Sequence, residues 1–232
     1  MNGAQLYELW KAEKVKVMKG RIESMKESVE QKGVVILDFE TTGANITNHP
    51  DKKWGYFKGK TWYDAIQIAL VDTSVLDSST KSGYKEYSWR LMPHKDYHAR
   101  KDWATSIHGH SRDEYLLRTD LVNFTDIYPE LARILNDKTV VAHNAFGFDK
   151  SVLEQMAEKY NVILPVFNWR DTKDELVKMY PQRKHSQKAV AAWMGFDNDF
   201  EGHDALVDVQ MLTKIYQRIE EIKTKSDDFY FV

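Results

Sequence analysis

Four carboxylates and one histidine stand out in this 232-residue chain because of their types and their spacing. Asp38 and Glu40 follow an apolar run, Asp149 precedes a helical segment, and His203 and Asp208 lie five positions apart near the end. Carboxylates that converge in a fold repel one another and take up protons unless a positive charge lies among them. Oxygen-only ligand sets suit Mg²⁺ or Mn²⁺. The pattern indicates a divalent metal site.

The predicted elements position these carboxylates. The apolar run from Val34 predicts a strand in which Asp38 and Glu40, two residues apart, point to the same face. Two more aspartates each share a predicted helix face with core-type residues. Asp208 shares its face with Ala205, Leu212, Ile215 and Ile219. Asp149 shares its face with Val152, Leu153, Met156 and Tyr160. Taken alone, each aspartate is better explained as an ordinary residue of the first turn of a helix, where it complements the helix dipole.

Two divalent ions about 4 Å apart can activate a water and stabilise a leaving oxygen in an in-line phosphoryl displacement. The predicted reaction is therefore phosphodiester hydrolysis. His203 follows Gly202 in a predicted loop. The ordinary histidine pKa of about 6.5 suits a general base at neutral pH. The alternative is an exposed loop histidine without a catalytic role.

The three segments resemble the DEDDh branch of the DnaQ-like 3′–5′ exonucleases. The resemblance rests on Asp38-Phe39-Glu40-Thr41-Thr42-Gly43, on His143-Asn144 through Phe148-Asp149, and on His203 through Asp208. Shorter segments match in the same order, namely Ala65–Ala69, Ile107-His108-Gly109, Asp171-Thr172 and His185-Ser186-Gln187-Lys188. Three ordered motifs are far more specific than one D-x-E pair. The resemblance spans residues 33 to 218.

The resemblance implies roles for individual residues. It implies that Asp38, Glu40, Asp149 and Asp208 hold two Mg²⁺ or Mn²⁺ ions and that His203 activates the attacking water. It also implies contacts with the terminal nucleotide from Thr41, Thr42, Asn144, Phe148 and His108. Ordinary turn chemistry is the alternative for the two threonines, and a core position is the alternative for Phe148.

Two positions depart from the family pattern. The segment from His143 to Asp149 is one residue longer than the common H-N-A-x-F-D form. We expect Gly147 to absorb the extra residue in a bulge or tight turn, and the position of Asp149 depends on it. Gln187 stands where the family usually has leucine.

The predicted fold is α/β, a ribonuclease-H-like mixed central sheet flanked by helices. Strands are predicted over 34–39, 65–71 and 85–91, an order that resembles the three-strand antiparallel start of a ribonuclease-H-like sheet, and further short strands are predicted over 139–142 and near 167. Predicted helices cover 125–135, 150–160, 173–179, 187–194 and 204–222. An additional charged helix is expected over 4–30, so residues 1–32 form an N-terminal extension and 33–232 the exonuclease domain. That helix is interpreted first as packing on the domain, and second as a docking arm.

The composition indicates the size of the core and the cellular compartment that we expect for this protein. With 42% hydrophobic residues the chain can bury one substantial core. It has no cysteine, which is typical of reducing compartments, and no apolar run long enough to span a membrane. We therefore expect a cytoplasmic protein. The net charge of −2 is compatible with nucleic-acid binding through a local basic groove.

Residues 44–63 form an unusually long connection that interleaves lysines with aromatic residues. Such a segment could hold phosphates and stack unpaired bases, or its aromatics could pack on the domain. A zinc site from His94, His98, His108 and His110 is disfavoured because no cysteine or ligand framework accompanies them.

The predicted partners are 3′ ends of single-stranded DNA, favoured over RNA because of that segment. A 3′–5′ exoribonuclease or oligoribonuclease is the close alternative. Two further alternatives are a proofreading module associated with a polymerase or another replication or repair protein, and a non-catalytic module that binds nucleic acid.

Overall fold

The computed structural model describes residues 33–42, 64–93, 111–196 and 204–229, with side chains up to residue 224. Within these ranges it contains six strands, β1 Val34–Thr41, β2 Ala65–Leu76, β3 Tyr84–Leu91, β4 Leu121–Val122, β5 Thr139–Ala142 and β6 Asn168–Asp171. The helices there are α1 Arg112–Leu116, α2 Phe124–Leu135, α3 Asp149–Lys159, α4 Thr172–Met179, α5 Gln187–Met194 and α6 Ala205–Phe229.

The strands form one mixed sheet in the order β4-β3-β2-β1-β5-β6. β1, β2 and β3 are antiparallel neighbours, whereas β5 is parallel to β1 and β6 is parallel to β5. The carboxyl ends of β1, β5 and β6 therefore meet at one edge of the sheet. Segments that follow these three strands are brought together there.

β1 lies at the centre of the sheet and is buried on both faces, which explains its continuous apolar run. Val35, Leu37 and Phe39 point into one core, and Ile36 points into the other. Because side chains alternate along a strand, Asp38 and Glu40 continue the face of Ile36.

Helices cover both faces of the sheet. The first core contains buried residues of α2 and α3, including Leu131 and Met156. The second contains buried residues of α4, α5 and α6, including Leu176, Val190 and Leu212. This arrangement confirms the predicted α/β architecture of a mixed sheet flanked by helices.

Two short elements were not predicted. β4 has two residues, too few for a periodicity signal. α1 has five residues, and its start is fixed by a reciprocal capping box between Ser111 and Glu114. β2 also extends beyond the predicted strand, to Leu76.

Several predictions concern residues outside the described ranges, namely the helix over 4–30, the segment 44–63, and His94, His98, His108, His110 and His203. All described elements belong to one compact unit that begins at Val34. None of the described helices has the length and apolar character that crossing a membrane requires.

Candidate active site

The end of β1 provides two of the carboxylates. Asp38 pairs with Ala69 of β2 and Glu40 with Gln67, and the register shifts between Glu40 and Thr41. The shift leaves Ile66 of β2 without a partner in this register, and an extra residue of this kind bends the strand that carries it. Both carboxylates lie on the sheet face that α6 covers, so they face the helix that carries Asp208.

Asp38, Glu40 and Asp208 form a cluster. One carboxylate oxygen from each lies within 4.8 Å of the other two. Asp208 occupies the first turn of α6, where buried Ala205, Val209 and Leu212 hold the helix against the sheet. The predicted helical stripe thus brings this aspartate to the end of β1.

Asp149 approaches the cluster from the first residue of α3. It is 2% exposed, and its Oδ1 accepts no hydrogen bond from any described residue. Its charge acts on Asp38 and the charge of Glu40 acts on it. All four predicted carboxylates are therefore electrostatically linked.

The electrostatics of the cluster favour protonation in the absence of a cation. Burial first, and then the neighbouring carboxylates, raise the pKa of Asp38 well above its usual range. The same causes raise the pKa of Glu40 to about 8, with Asp208 and Asp204 as the charged neighbours. Burial raises the pKa of Asp149 to about 8 as well. Groups this perturbed are typical of functional sites.

The longer second motif forms a turn after β5. Asn144 adopts a left-handed conformation with φ of 71°. The amides of Gly147 and Phe148 both donate to the Asn144 carbonyl, each at 3.0 Å. A Cβ on Gly147 would lie 2.6 Å from Asn144 Oδ1, so a larger residue here would force the Asn144 side chain to move. The expected tight turn is present, and α3 begins at Asp149.

Asp171, the last residue of β6, anchors this turn. Its carboxylate accepts hydrogen bonds from the amides of Asn144 at 3.0 Å and Phe146 at 3.1 Å. It also caps α4 by accepting from the Lys173 amide at 2.9 Å. Asp171 is thus a structural support for the segment that ends in Asp149.

His143 has a structural position below the turn. Its Nε2 lies 2.7 Å from the His185 carbonyl, which can only accept, so Nε2 carries the proton. Nδ1 then accepts from the Thr172 hydroxyl at 2.9 Å. Burial lowers the pKa of His143, which is consistent with this neutral tautomer. The histidine ties β5 to the segment before α5.

The start of α6 is held by a network that the sequence did not reveal. Asp204 caps the helix by accepting from the Leu206 amide at 2.9 Å. Its carboxylate also accepts from Gln67 Nε2 at 3.2 Å and from Arg90 Nη2 at 3.1 Å. Gln67 Oε1 accepts from the Ala205 amide at 3.3 Å. The cap pattern was readable in the sequence, but its partners on β2 and β3 were not.

Gln187, which stands where the family usually has leucine, contacts the backbone of a site residue rather than its carboxylate. Its Nε2 donates to the backbone carbonyl of Asp208 at 2.9 Å. Because that carbonyl lies in the first turn of α6, the contact fixes the helix at the level of the carboxylate cluster. The substitution thus provides a link between α5 and α6.

The residues predicted to contact substrate differ in their surroundings. Thr41 is buried, and Thr42 uses its amide and its hydroxyl to bond Asp64 at 2.8 and 3.0 Å. Asn144 Oδ1 accepts from Lys173 Nζ at 3.1 Å. Phe148 is half-buried against the first core. His108 and His203 lie outside the described residues.

These carboxylates suit a divalent cation. The donor set consists of oxygens, and three of the oxygens already converge. The Oδ1 of Asp149 is buried and receives no hydrogen bond from the described part of the chain. Hard cations of the Mg²⁺ type prefer such ligands.

Comparison with known proteins identifies the family. The family model RNase T, described as an exonuclease family, matches residues 35–216. The chain belongs to the RNase T exonuclease family. This membership confirms the predicted resemblance and makes the protein a nuclease with a ribonuclease-H-like fold. A search of curated protein sequences gave no significant match.

Solved exonuclease structures share the fold of this RNase T family member. Exonuclease X in complex with 5′ overhanging duplex DNA is 21% identical, with a TM-score of 0.54 over 82% of this chain and 92% of that chain. The nuclease domain of 3′hExo, a DEDDh family member bound to rAMP, is 15% identical, with a TM-score of 0.60 over 82% and 92%. E. coli Exonuclease I with a dT13 oligonucleotide is 16% identical, with a TM-score of 0.63 over 87% and 44%.

Proposed function

We propose that the protein is a DEDDh-type 3′–5′ exonuclease that removes nucleoside 5′-monophosphates from single strands, with DNA as the preferred substrate. The observation that carries this proposal is the convergence of Asp38, Glu40 and Asp208, with their oxygens within 4.8 Å of one another. Buried Asp149 beside this cluster completes the set of four. Residues 33–232 are the proposed catalytic domain and 1–32 an extension to it.

The four carboxylates are the proposed ligands of two Mg²⁺ or Mn²⁺ ions. When bound, such ions supply an activated water and neutralise charge on the scissile phosphate. Asp38 and Glu40 hold their oxygens on a rigid central strand. Asp149 and Asp208 approach from helices that pack in the cores on either face of the sheet, which orients their carboxylates.

His203 is the proposed general base. The resemblance assigns the role, and the anchored neighbour Asp204 supports it because the chain enters α6 at a fixed point. A histidine at this point would take a proton from the attacking water and return it to solvent. Thr41, Thr42, Asn144, Phe148 and His108 are proposed contacts of the terminal nucleotide.

The substrate proposal draws on the fold relatives and on the chain itself. The structure of E. coli Exonuclease I contains a dT13 oligonucleotide and that of 3′hExo contains rAMP, so proteins of this fold bind both kinds of sugar. Lysines and aromatics in residues 44–63 favour unpaired bases. A polymerase or other replication or repair protein as partner, and a cytoplasmic location, remain predictions.

The test is a time course on strands labelled at the 3′ or 5′ end, with DNA and RNA of the same sequence, in Mg²⁺, Mn²⁺ or EDTA. The expected result is a metal-dependent ladder that shortens from the 3′ end, with DNA cleaved faster. Asp38→Asn should abolish it, whereas Asp113→Asn, an exposed aspartate on α1, should leave it intact. Faster RNA cleavage would indicate an exoribonuclease, and no cleavage of any strand would refute the proposal in favour of a binding module.

A further inference from the structure

The longer second motif displays an exposed aromatic ring in the turn that leads to Asp149. The Phe146 side chain is 52% exposed. Among the large apolar side chains that are exposed in the described part of the chain, it is the only aromatic one. Single exposed apolar side chains are common on protein surfaces. Phe146 differs in its position, because it lies in the turn between β5 and α3, three residues before Asp149.

The backbone that carries this ring is held firmly. The Phe146 amide donates to Asp171 Oδ2 at 3.1 Å, and the Asn144 amide donates to the other oxygen of the same carboxylate at 3.0 Å. Gly147 packs directly on the Asn144 side chain. The exposed ring therefore projects from a preorganised turn, and its binding to a flat partner requires little loss of backbone freedom.

Positive charge lies next to the ring. Lys150 Nζ is 5.9 Å from the centre of the Phe146 ring and 3.8 Å from Glu154 Oε1. Lys173 Nζ donates to Asn144 Oδ1 at 3.1 Å on the same turn. An aromatic face flanked by lysines is the combination by which proteins bind unpaired nucleotides, with stacking on the base and charge near the phosphates.

We infer that Phe146 is a stacking platform for one nucleobase of the bound strand, with Lys150 beside the adjoining phosphate. The inference rests on the proposed function, since it assigns a substrate contact to that site. Phe146 lies within the motif that is one residue longer than the common family form. The contact tolerates any base, since every base has a flat face.

The test measures steady-state cleavage of a 5′-labelled 20-residue oligothymidylate by wild type, Phe146→Ala and Phe146→Trp. Stacking contributions of ordinary size predict that Phe146→Ala raises KM about tenfold with little change in kcat. Phe146→Trp should restore wild-type KM. Leu117→Ala, which truncates an exposed apolar residue next to α1, is the matched control and should not change KM.

A set of substrates with one abasic position each, over the last four nucleotides, locates the stacked base. When the missing base is the one that stacks on Phe146, the ring has nothing to bind. Wild type and Phe146→Ala should therefore have the same KM for that one substrate. Unchanged KM on the intact strand, or a penalty that persists at every abasic position, would overturn the inference. Thermal melts of both variants check folding, and Phe146→Trp keeps the test valid if the alanine variant melts early.

Strand binding measured by fluorescence anisotropy in an Asp38→Asn background separates this inference from the proposed function. If wild type cleaves no strand, the proposed function fails, but weaker binding by Phe146→Ala would still support the stacking platform. If wild type cleaves and binding is the same with and without the ring, the stacking platform alone is refuted.

Discussion

Glu40→Gln should stabilise the metal-free protein while it abolishes activity. Glu40 is 8% exposed, and burial and neighbouring carboxylates raise its pKa from 4.5 to about 8. The folded protein therefore binds this proton more tightly than the unfolded chain does. The stability that the group contributes is fully present below pH 4.5 and is lost as the pH rises toward 8. A glutamine is neutral throughout and escapes this loss.

The size of the effect follows from the two pKa values. Between pH 4.5 and 7 the cost of ionising Glu40 in the folded protein grows by about 1.4 kcal/mol per pH unit, to about 3 kcal/mol at pH 7. For a chain of this length that corresponds to a rise in Tm of roughly 6–12 °C for Glu40→Gln. At pH 4.5 the two proteins should melt close together.

The assay is thermal unfolding in EDTA, followed by circular dichroism from pH 4.5 to 7.5. Glu130→Gln, which removes an exposed carboxylate on α2, is the control and should shift Tm little at any pH. Saturating Mn²⁺ should reverse the order, because wild type gains binding energy that the variant has partly lost. A Tm difference that does not change with pH, or a destabilised variant at pH 7.5, would refute the assignment of Glu40 to a repulsive carboxylate cluster.

Three substitutions test how the site is held. Gly147→Ala places a Cβ 2.6 Å from the nearest side-chain atom, so it should cost about 1–3 kcal/mol in urea unfolding and lower kcat; unchanged values would contradict the close packing. Arg90→Met removes the 3.1 Å hydrogen bond to Asp204. It should lower kcat at least severalfold while the Mn²⁺ affinity stays nearly unchanged. If the Mn²⁺ affinity falls as much as kcat, the hydrogen-bond network around Asp204 supports the metal ligands instead. Gln187→Leu removes the bond to the Asp208 carbonyl and should weaken Mn²⁺ binding by calorimetry, while equal affinity would make the contact dispensable.

Local patterns were enough to predict much of the site. Asp38 and Glu40 share a face because alternate residues of a strand do, and the apolar stripe of α6 indicates which side of that helix is buried. That Asp208 meets the two strand residues was implied only by the family resemblance. The central strand was readable because β1 is apolar on both faces. The strand face, the buried side of the helix and the central strand each depend on residues within a few positions of one another.

Contacts between distant segments could not be predicted. The bond from Gln67 to Asp204 joins residues 137 positions apart, and nothing near either residue specifies the other. The exposure of Phe146 depends on how Asp171 holds the turn from a different strand. The sequence alone likewise gave no sign that Gln187, which departs from the motif, bonds the Asp208 backbone.

The central claim is that the carboxylate cluster is a two-ion site that serves phosphodiester hydrolysis. Its most direct test is the number of Mn²⁺ ions bound per protein in the presence of thymidine 5′-monophosphate, measured by electron paramagnetic resonance for wild type and Asp149→Asn. We predict two ions for wild type and loss of at least one in the variant, together with loss of 3′-end cleavage. Equal binding by both proteins, or no bound Mn²⁺ in an active wild type, would contradict the account.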